Sequence, residues 1–183
     1  MEKTLVIHPS DSSTDFLKPI YSGLENAVVL TGGLTKEEVR EAIEKSDRVI
    51  MLGHGSPFGL FSVGRFTSTN GYIIDNTMVD VLSNKPNNIY VWCHANQFVE
   101  RHELNGFYSG MFVSEYGEAY YCGLPNTPQT EVDESNNYFA RLLGEVINEP
   151  LSVIYEHVNW NYELLTEDNP VALYNYERLY LAE

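Results

Sequence analysis

Cysteine and basic residues are scarce in this sequence, and each shortage excludes a class of protein. Only Cys93 and Cys122 occur among 183 residues, too few for the dense disulfide framework of a small secreted domain. Eleven Lys and Arg stand against 26 Asp and Glu, which gives a formal net charge of −15 at pH 7. A polyanion approaches such a chain against its electric field. We therefore expect neither nucleic acid nor an anionic membrane as a partner.

Long apolar runs are also missing from the sequence. The N-terminus, MEKTLVIHPSD, has no apolar stretch of signal-peptide length, and nowhere do about 20 apolar residues follow one another, as a bilayer span requires. These features indicate a cytoplasmic protein. The 13 glycines and eight prolines are scattered, and 43% of the residues are apolar, which is typical of a globular chain. Residues 1–183 are predicted to form a single α/β domain.

Short apolar runs of strand length recur along the chain. They are apolar on successive residues, the pattern of a strand buried on both faces of a parallel sheet. The six runs are Leu5–Ile7, Ala27–Leu30, Val49–Leu52, Ile89–Trp92, Met111–Val113 and Ser152–Tyr155. Helical patterns alternate with them. The sequence therefore predicts a three-layer α/β/α sandwich around a mostly parallel six-stranded sheet.

The helices are marked by caps and by apolar periodicity. Thr35 and Glu38 form a capping box, which predicts a helix over 36–45. Apolar residues at helical spacing over 138–147 predict a longer helix that begins near 131–134 and ends at Pro150. The remaining predictions are short helices over 16–24, over 76–82 and from Pro170, and a small hairpin over 59–75 after the third strand.

Two of the predicted strands end in reactive side chains. The third run is followed by Gly53 and His54, and the fourth by Cys93. The carboxyl ends of parallel strands share one edge of a sheet, and sequential strands are often neighbours, so His54 and Cys93 are expected to face one cleft. An imidazole beside a thiol raises its thiolate fraction and holds a proton for the leaving group. The pattern predicts acyl transfer, with Cys93 as nucleophile and His54 as its base.

Gly55 has a predicted part in the same chemistry. A residue without Cβ lets its backbone N–H approach a substrate carbonyl, and the Cys93 amide offers a second donor. Two such donors make an oxyanion hole. This chemistry needs no metal or other cofactor. A metal site remains an alternative, with ligands from Cys93, His94, His102 and Glu103, although their spacing matches no usual zinc pattern.

An apolar strand ending in His-Gly, then a hairpin and a helix, then an apolar strand ending in Cys resembles the caspase-like (clan CD) cysteine peptidases. The resemblance spans roughly residues 3–155, and it is closer to the bacterial clostripain, gingipain and CHAT-type branch than to true caspases. Caspases place Gln-Ala before the cysteine and Gly two residues after it, whereas Trp92 and His94 flank Cys93 here. The family's catalytic residues fall on His54 and Cys93. The resemblance implies a hydrolase that cleaves peptide bonds of peptide or protein substrates.

Glu115 is the candidate for a specificity pocket. Related peptidases with basic specificity use an acidic residue to hold the P1 side chain, which precedes the scissile bond, and the acidic composition favours the same preference. Arg65 or Arg101 near the cleft would instead favour an acidic P1 residue.

Two other functions remain open from the residues alone. The first is a catalytically inactive caspase-like domain that binds a peptide or protein as a regulatory module, which a Trp92 side chain covering Cys93 would support. The second is a hydrolase or chelatase site at His54, Gly55 and Ser56 without a role for Cys93. Tyrosines crowd the C-terminal third, and this aromatic surface is predicted to contact a protein partner or a second copy of the chain. They are Tyr155, Tyr162, Tyr174, Tyr176 and Tyr180.

Overall fold

The computed structural model describes residues 3–183. Within that range the strands are β1 Thr4–Ile7, β2 Val28–Leu30, β3 Arg48–Leu52, β4 Gly55–Ser56, β5 Gly59–Phe61, β6 Tyr72–Ile74, β7 Ile89–Val91, β8 Gly106–Ser109 and β9 Leu179–Ala182. The α-helices are α1 Lys36–Glu44, α2 Val79–Leu82, α3 Ala95–Arg101, α4 Tyr116–Tyr121, α5 Gln129–Glu145, α6 Leu151–Thr166 and α7 Pro170–Tyr176. Ser12–Ile20 and Asn76–Met78 form 3₁₀ helices.

The main sheet has six strands in the order β2-β1-β3-β7-β8-β9. The first five run parallel, and β9 pairs antiparallel with β8. This confirms the predicted α/β class and the mostly parallel six-stranded sheet. The carboxyl ends of β1, β3, β7 and β8 consequently meet at one edge, the edge at which ligands bind in sheets of this kind.

Both faces of the sheet are buried, which explains strands that are apolar on successive residues. In β3, Ile50 and Leu52 join one apolar cluster while Val49 and Met51 join the other. The first cluster includes side chains of α5 and α6, and the second includes side chains of α1 and α3. Helices thus cover both faces, as in a three-layer sandwich.

The fifth strand lies earlier than predicted. The prediction placed it at Met111–Val113, but β8 spans Gly106–Ser109 and residues 111–113 follow it as a loop in which Phe112 and Val113 are buried. The loop backbone is satisfied by a side chain instead of a neighbouring strand. Asn175 accepts from the Val113 N–H at 2.7 Å and donates to the Val113 carbonyl at 2.9 Å. An apolar run can therefore be buried without pairing when a polar side chain completes its hydrogen bonds.

The sixth strand was assigned to the wrong segment. Ser152–Tyr155 is the first turn of α6, which buries Leu151, Ile154, Val158 and Tyr162 at helical spacing. A window of four residues cannot distinguish a buried strand from the start of a buried helix. The strand that completes the sheet is β9, in register with β8 through Phe107 and Leu181.

The remaining predicted elements each correspond to a helix or a small sheet in the structure, although not always of the predicted type. The capping box of Thr35 and Glu38 starts α1, and Asn169 caps α7 with Pro170 in its first turn. The predicted hairpin is a separate antiparallel sheet of three strands, β4-β5-β6. The segment predicted as a helix over 16–24 is instead a 3₁₀ helix that begins at Ser12 and is capped by Asp11.

Of the five tyrosines predicted at the surface of the C-terminal third, Tyr155, Tyr174, Tyr176 and Tyr180 are half-buried. Tyr162 is fully buried, whereas Trp160 is 78% exposed and Leu164 74% exposed on α6. A protein partner or a second copy at this surface stays a prediction. Across residues 3–183, every helix is too short or too polar to cross a bilayer.

Candidate active site

The sheet register brings His54 and Cys93 to the same place. β3 and β7 are neighbours, with Leu52 opposite Val91, and the two reactive residues follow two positions beyond that pair. Gly53 links β3 to His54 with φ of 142°, a conformation that favours glycine, and its N–H donates to the Val91 carbonyl at 3.1 Å. After Cys93 the chain turns into α3.

Both residues line a cavity of about 670 Å³, here called the strand-end cleft. Its walls come from the ends of β3 and β7, from the loop after β5, from the loop after β8 and from α4. The lining residues are His54, Gly55, Phe61, Ser62, Val63, Gly64, Gly71, Cys93, His94, Met111 and Glu118. Glu118 is the carboxylate in this set, and no lysine or arginine of the described chain belongs to it. Glu118 therefore places a negative charge at the wall of the cleft.

The Trp92 side chain is buried in the core and is not among the residues that line the strand-end cleft, so it does not cover Cys93. Its side chain is 1% exposed within the second core cluster, and its indole N–H donates to the Ser56 carbonyl at 3.1 Å. A Cβ at Gly55 would lie 2.2 Å from Trp92 Cδ1. Only glycine lets β4 lie this close to the indole.

The register of the three-stranded sheet β4-β5-β6, here called the small sheet, leaves the Gly55 N–H without a hydrogen bond to β5. The Phe61 N–H donates to the His54 carbonyl at 2.9 Å, and Gly55 is opposite Leu60 as the next pair. In an antiparallel ladder, hydrogen-bonded and non-hydrogen-bonded pairs alternate, so the Gly55 N–H points away from β5. Since β4 is an edge strand, this N–H is directed away from the small sheet at a residue that lines the cleft.

The Cys93 thiol is protonated and bonded away from His54. It donates to the Phe112 carbonyl at 3.4 Å and approaches Glu118 Oε1 at 3.9 Å. Burial raises the pKa of the thiol to about 12, and the Glu118 carboxylate adds to the increase. Cys93 thus rests as a neutral thiol and not as a thiolate.

Glu118 is held in place by the start of α4. Its Oε2 accepts from the Ser114 N–H at 2.8 Å, the Ser114 hydroxyl at 3.1 Å and the Glu115 N–H at 3.1 Å. These donors fix one carboxylate oxygen, which leaves Oε1 to face the thiol. Sequence analysis missed Glu118, although its spacing from Glu115 matches an N-terminal helix cap after the fifth strand.

His54 is hydrogen-bonded to a loop that sequence analysis also missed. Its Nε2 lies 2.7 Å from the Ser13 Oγ, and the Ser13 hydroxyl donates to Asp11 Oδ1 at 2.8 Å. Both residues follow β1, so they reach the same sheet edge as His54. An Asp-Ser-Ser segment shortly after β1 was the available signal, because Asp and Ser are preferred at the caps that begin helices.

Other candidate residues lie outside the strand-end cleft. Glu115 lines a second cavity of about 360 Å³ between the first 3₁₀ helix, α4 and α5. His102 packs on Phe98 with ring centroids 4.8 Å apart, and Ser56 bonds the Tyr72 hydroxyl at 2.9 Å. Within residues 3–183 no three His, Cys, Asp or Glu side chains gather as metal ligands.

The arginines considered for acidic specificity also lie outside the strand-end cleft. Arg65 donates to the Ser10 carbonyl at 2.9 Å, and the Arg101 guanidinium lies 5.2 Å from the centre of the Phe58 ring. Cys93 and Cys122 are both free thiols.

The fold and site define an α/β sandwich with a thiol and an imidazole at adjacent strand ends. Comparison with models of known protein families gave no match. Comparison with curated proteins gave no match either.

Proposed function

We propose that this chain is a caspase-like cysteine peptidase that uses Cys93 and His54. The observation that carries the proposal is their position, two residues beyond the Leu52–Val91 pair on neighbouring parallel strands and facing one cleft. The Glu118 carboxylate in the cleft wall and the Gly55 N–H directed away from β5 support it. The protein substrate or peptide enters the strand-end cleft with its scissile carbonyl over Cys93.

The reaction begins with transfer of the thiol proton to His54. The Cys93 sulfur then bonds to the carbonyl carbon, and the oxygen takes the negative charge between the Gly55 and Cys93 amides. When the carbon–nitrogen bond breaks, the leaving amine takes the proton from His54. Water then gives a proton to His54 and attacks the thioester, which releases the carboxylic acid and restores the thiol.

The resting contacts of Cys93 require one change before this chemistry. The thiol must leave the Phe112 carbonyl and Glu118 and turn toward His54, a rotation about the Cα–Cβ bond. A cationic substrate group bound to Glu118 would neutralise the carboxylate that helps keep the thiol protonated. The expected basic P1 preference is therefore proposed to rest on Glu118, which lines the cleft, and not on Glu115.

The resting thiol favours a second candidate function. A cysteine with pKa near 12 that is bonded away from the histidine is what an inactive member of the family would retain. In that case the cleft binds a peptide or protein without cleaving it, and the chain is a regulatory module.

Labelling with peptidyl acyloxymethyl ketones tests the peptidase directly. These probes bind as substrates do and alkylate a catalytic thiol, so they report Cys93 in its substrate-bound state. We expect mass spectrometry to locate the label on Cys93, with Cys122 as the internal control, and faster labelling by a Lys probe than by its norleucine analogue. His54→Ala is expected to abolish the labelling, and His102→Ala, a histidine outside the cleft, to preserve it.

The alternatives give different results in the same experiment. Labelling that is equal on both cysteines and indifferent to His54→Ala would contradict the peptidase. Saturable binding of an unreactive peptide that His94→Ala weakens, without labelling of Cys93, would instead support the regulatory module.

A further inference from the structure

A chain of hydrogen bonds runs from Asp11 through Ser13 to His54. The chemistry of each group determines which atom donates and which accepts. Hydrogen bonds from the Ser13 backbone and hydroxyl hold the pKa of Asp11 below its ordinary value, so at neutral pH this carboxylate accepts and does not donate. The Ser13 hydroxyl has one proton, and it is given to Asp11 Oδ1 at 2.8 Å. The Ser13 oxygen is left as an acceptor toward His54.

An acceptor at 2.7 Å from Nε2 determines which nitrogen of His54 carries the proton. A neutral imidazole has one N–H donor and one lone-pair nitrogen. Because Ser13 Oγ accepts, Nε2 must be the N–H, and Nδ1 must carry the lone pair. A partner on one ring nitrogen in this way sets both tautomer and ring orientation.

We propose that Ser13, backed by Asp11, is a positioning residue that holds neutral His54 as its Nε2–H tautomer. The consequence for catalysis rests on the proposed peptidase function. Nδ1 is then the nitrogen that takes the thiol proton, while Nε2–H stays bonded to Ser13 throughout the reaction. The imidazolium formed is stabilised through the same chain by the Asp11 charge.

The neighbouring histidine, His8, is held differently from His54. His8 also follows β1, but its two ring nitrogens contact the hydroxyls of Tyr21 and Thr14, each at 3.0 Å. Its two nitrogens are both occupied inside the protein, whereas the hydrogen bond to Ser13 occupies only Nε2 of His54.

The test is the tautomer of His54 in Ser13 variants, measured without substrate. Two-bond proton–nitrogen spectra of protein labelled with ¹⁵N-histidine distinguish the tautomers, and His54→Gln identifies the signals among the five histidines. At pH 8.5, well above the ordinary imidazole pKa, we expect an Nε2–H pattern in the parent. Ser13→Ala should give averaged tautomers, and Ser13→Thr should restore the parent pattern.

The Ser13→Ala spectrum can be interpreted because the variant should stay folded and because Ser12→Ala provides a control. Alanine at position 13 retains the backbone N–H that donates to Asp11 at 3.0 Å, so the cap of the 3₁₀ helix and the fold should persist. Ser12→Ala removes an adjacent hydroxyl of an exposed residue and should leave the His54 pattern unchanged. An Nδ1–H pattern in the parent, or an unchanged Nε2–H pattern in Ser13→Ala, would overturn the proposal.

A second measurement separates this proposal from the peptidase itself. With the acyloxymethyl ketone probe, Ser13→Ala is expected to lower the maximal labelling rate of Cys93 about tenfold, the scale of a modest acid–base effect, with little change in probe affinity. A parent protein that shows the Nε2–H pattern and no labelling would refute the peptidase and leave the role of Ser13 supported. Labelling with the opposite tautomer would refute only the role of Ser13.

Discussion

Glu118 adds to the effect of burial in raising the pKa of the Cys93 thiol. The carboxylate lies 3.9 Å from the thiol sulfur, and at that distance two negative charges repel strongly in a partly buried site. Burial is the larger cause of the raised pKa and Glu118 the second. Removing the charge should therefore lower the thiol pKa part of the way toward its ordinary value.

We predict that Glu118→Gln accelerates alkylation of Cys93 by iodoacetamide. A decrease of about one pKa unit raises the thiolate fraction about tenfold at a pH well below both pKa values, and the lower intrinsic nucleophilicity leaves a gain of roughly three- to fourfold. Glutamine keeps an oxygen for the Ser114 and Glu115 donors, so α4 should remain capped. The rate is measured from pH 7 to 10 by mass spectrometry of the Cys93 peptide.

Glu115→Gln is the matched control for this prediction. It removes the same charge three residues away, from a side chain outside the strand-end cleft. Its alkylation rate should equal that of the parent. Equal acceleration in both variants would mean that net charge, and not the contact between Glu118 and the thiol, sets the reactivity.

The residues that sequence analysis found and those that it missed differ in a physical way. His54 and Cys93 follow apolar strands directly, so the sheet alone predicts their edge. Glu118 and Ser13 reach the site from a helix start and a 3₁₀ helix, and their approach depends on tertiary packing. No spacing along the chain fixes the meeting of Ser13 with a histidine 41 positions later.

Among the elements, the small sheet depends on its contact with Trp92. β4 lies over the indole, and a Cβ at Gly55 would meet both Trp92 Cδ1 at 2.2 Å and the Gly59 carbonyl oxygen at 2.6 Å. The indole cannot retreat, because it packs on Tyr90 and Phe98 with ring centroids 5.7 Å away in each case. The backbone position of His54 and Gly55 therefore depends on how Trp92 packs in the second apolar cluster.

We predict that Gly55→Ala destabilises the fold by about 2–3 kcal/mol, because overpacking forces backbone or side-chain shifts. Urea unfolding followed by tryptophan fluorescence measures it, in a Trp160→Phe background so that buried Trp92 is the reporter. Gly117→Ala is the control, since a Cβ there meets nothing within 4 Å and alanine favours a helix by up to ~1 kcal/mol. An unchanged unfolding midpoint in Gly55→Ala would show that β4 does not rest on Trp92.

Elements that are specified by local sequence signals were predicted correctly. Elements whose formation depends on long-range contacts were not. The box of Thr35 and Glu38 and the cap at Asn169 are local, and both helices formed as predicted. The strand β9 comes after α7 and joins the sheet antiparallel at its edge, which a pattern of alternating strands and helices does not anticipate. Residues 111–113 were misassigned because the backbone of Val113 is hydrogen-bonded by Asn175, 62 positions away, and not by a neighbouring strand.

At the scale of the whole molecule, two groups of ionisable residues make stability depend on pH in separate ranges. The Arg40 hydrogen bond lowers the pKa of Asp80, and for Asp75 hydrogen bonds from Lys36 and Thr77 outweigh burial and lower the pKa. A carboxyl with a lowered folded pKa contributes stability above its unfolded pKa and loses it as the pH falls further. The stability contributed by Asp75 and Asp80 is therefore lost below about pH 4.

The protonation of His8 affects stability at higher pH than these carboxylates do. Because the side chain is buried, stability falls when the pH is lowered. Burial lowers its pKa from 6.5 to about 4, so between these values the unfolded chain binds a proton that the folded chain refuses. Stability must therefore decrease as the pH falls through this range, by roughly 2 kcal/mol between pH 7 and pH 5 from this histidine alone. We predict that His8→Gln, which keeps polar atoms for Tyr21 and Thr14, removes this part of the decrease in urea unfolding. His157→Gln removes a histidine that is only partly exposed on α6 and should retain the decrease. An equal decrease in His8→Gln and the parent would contradict a neutral buried His8.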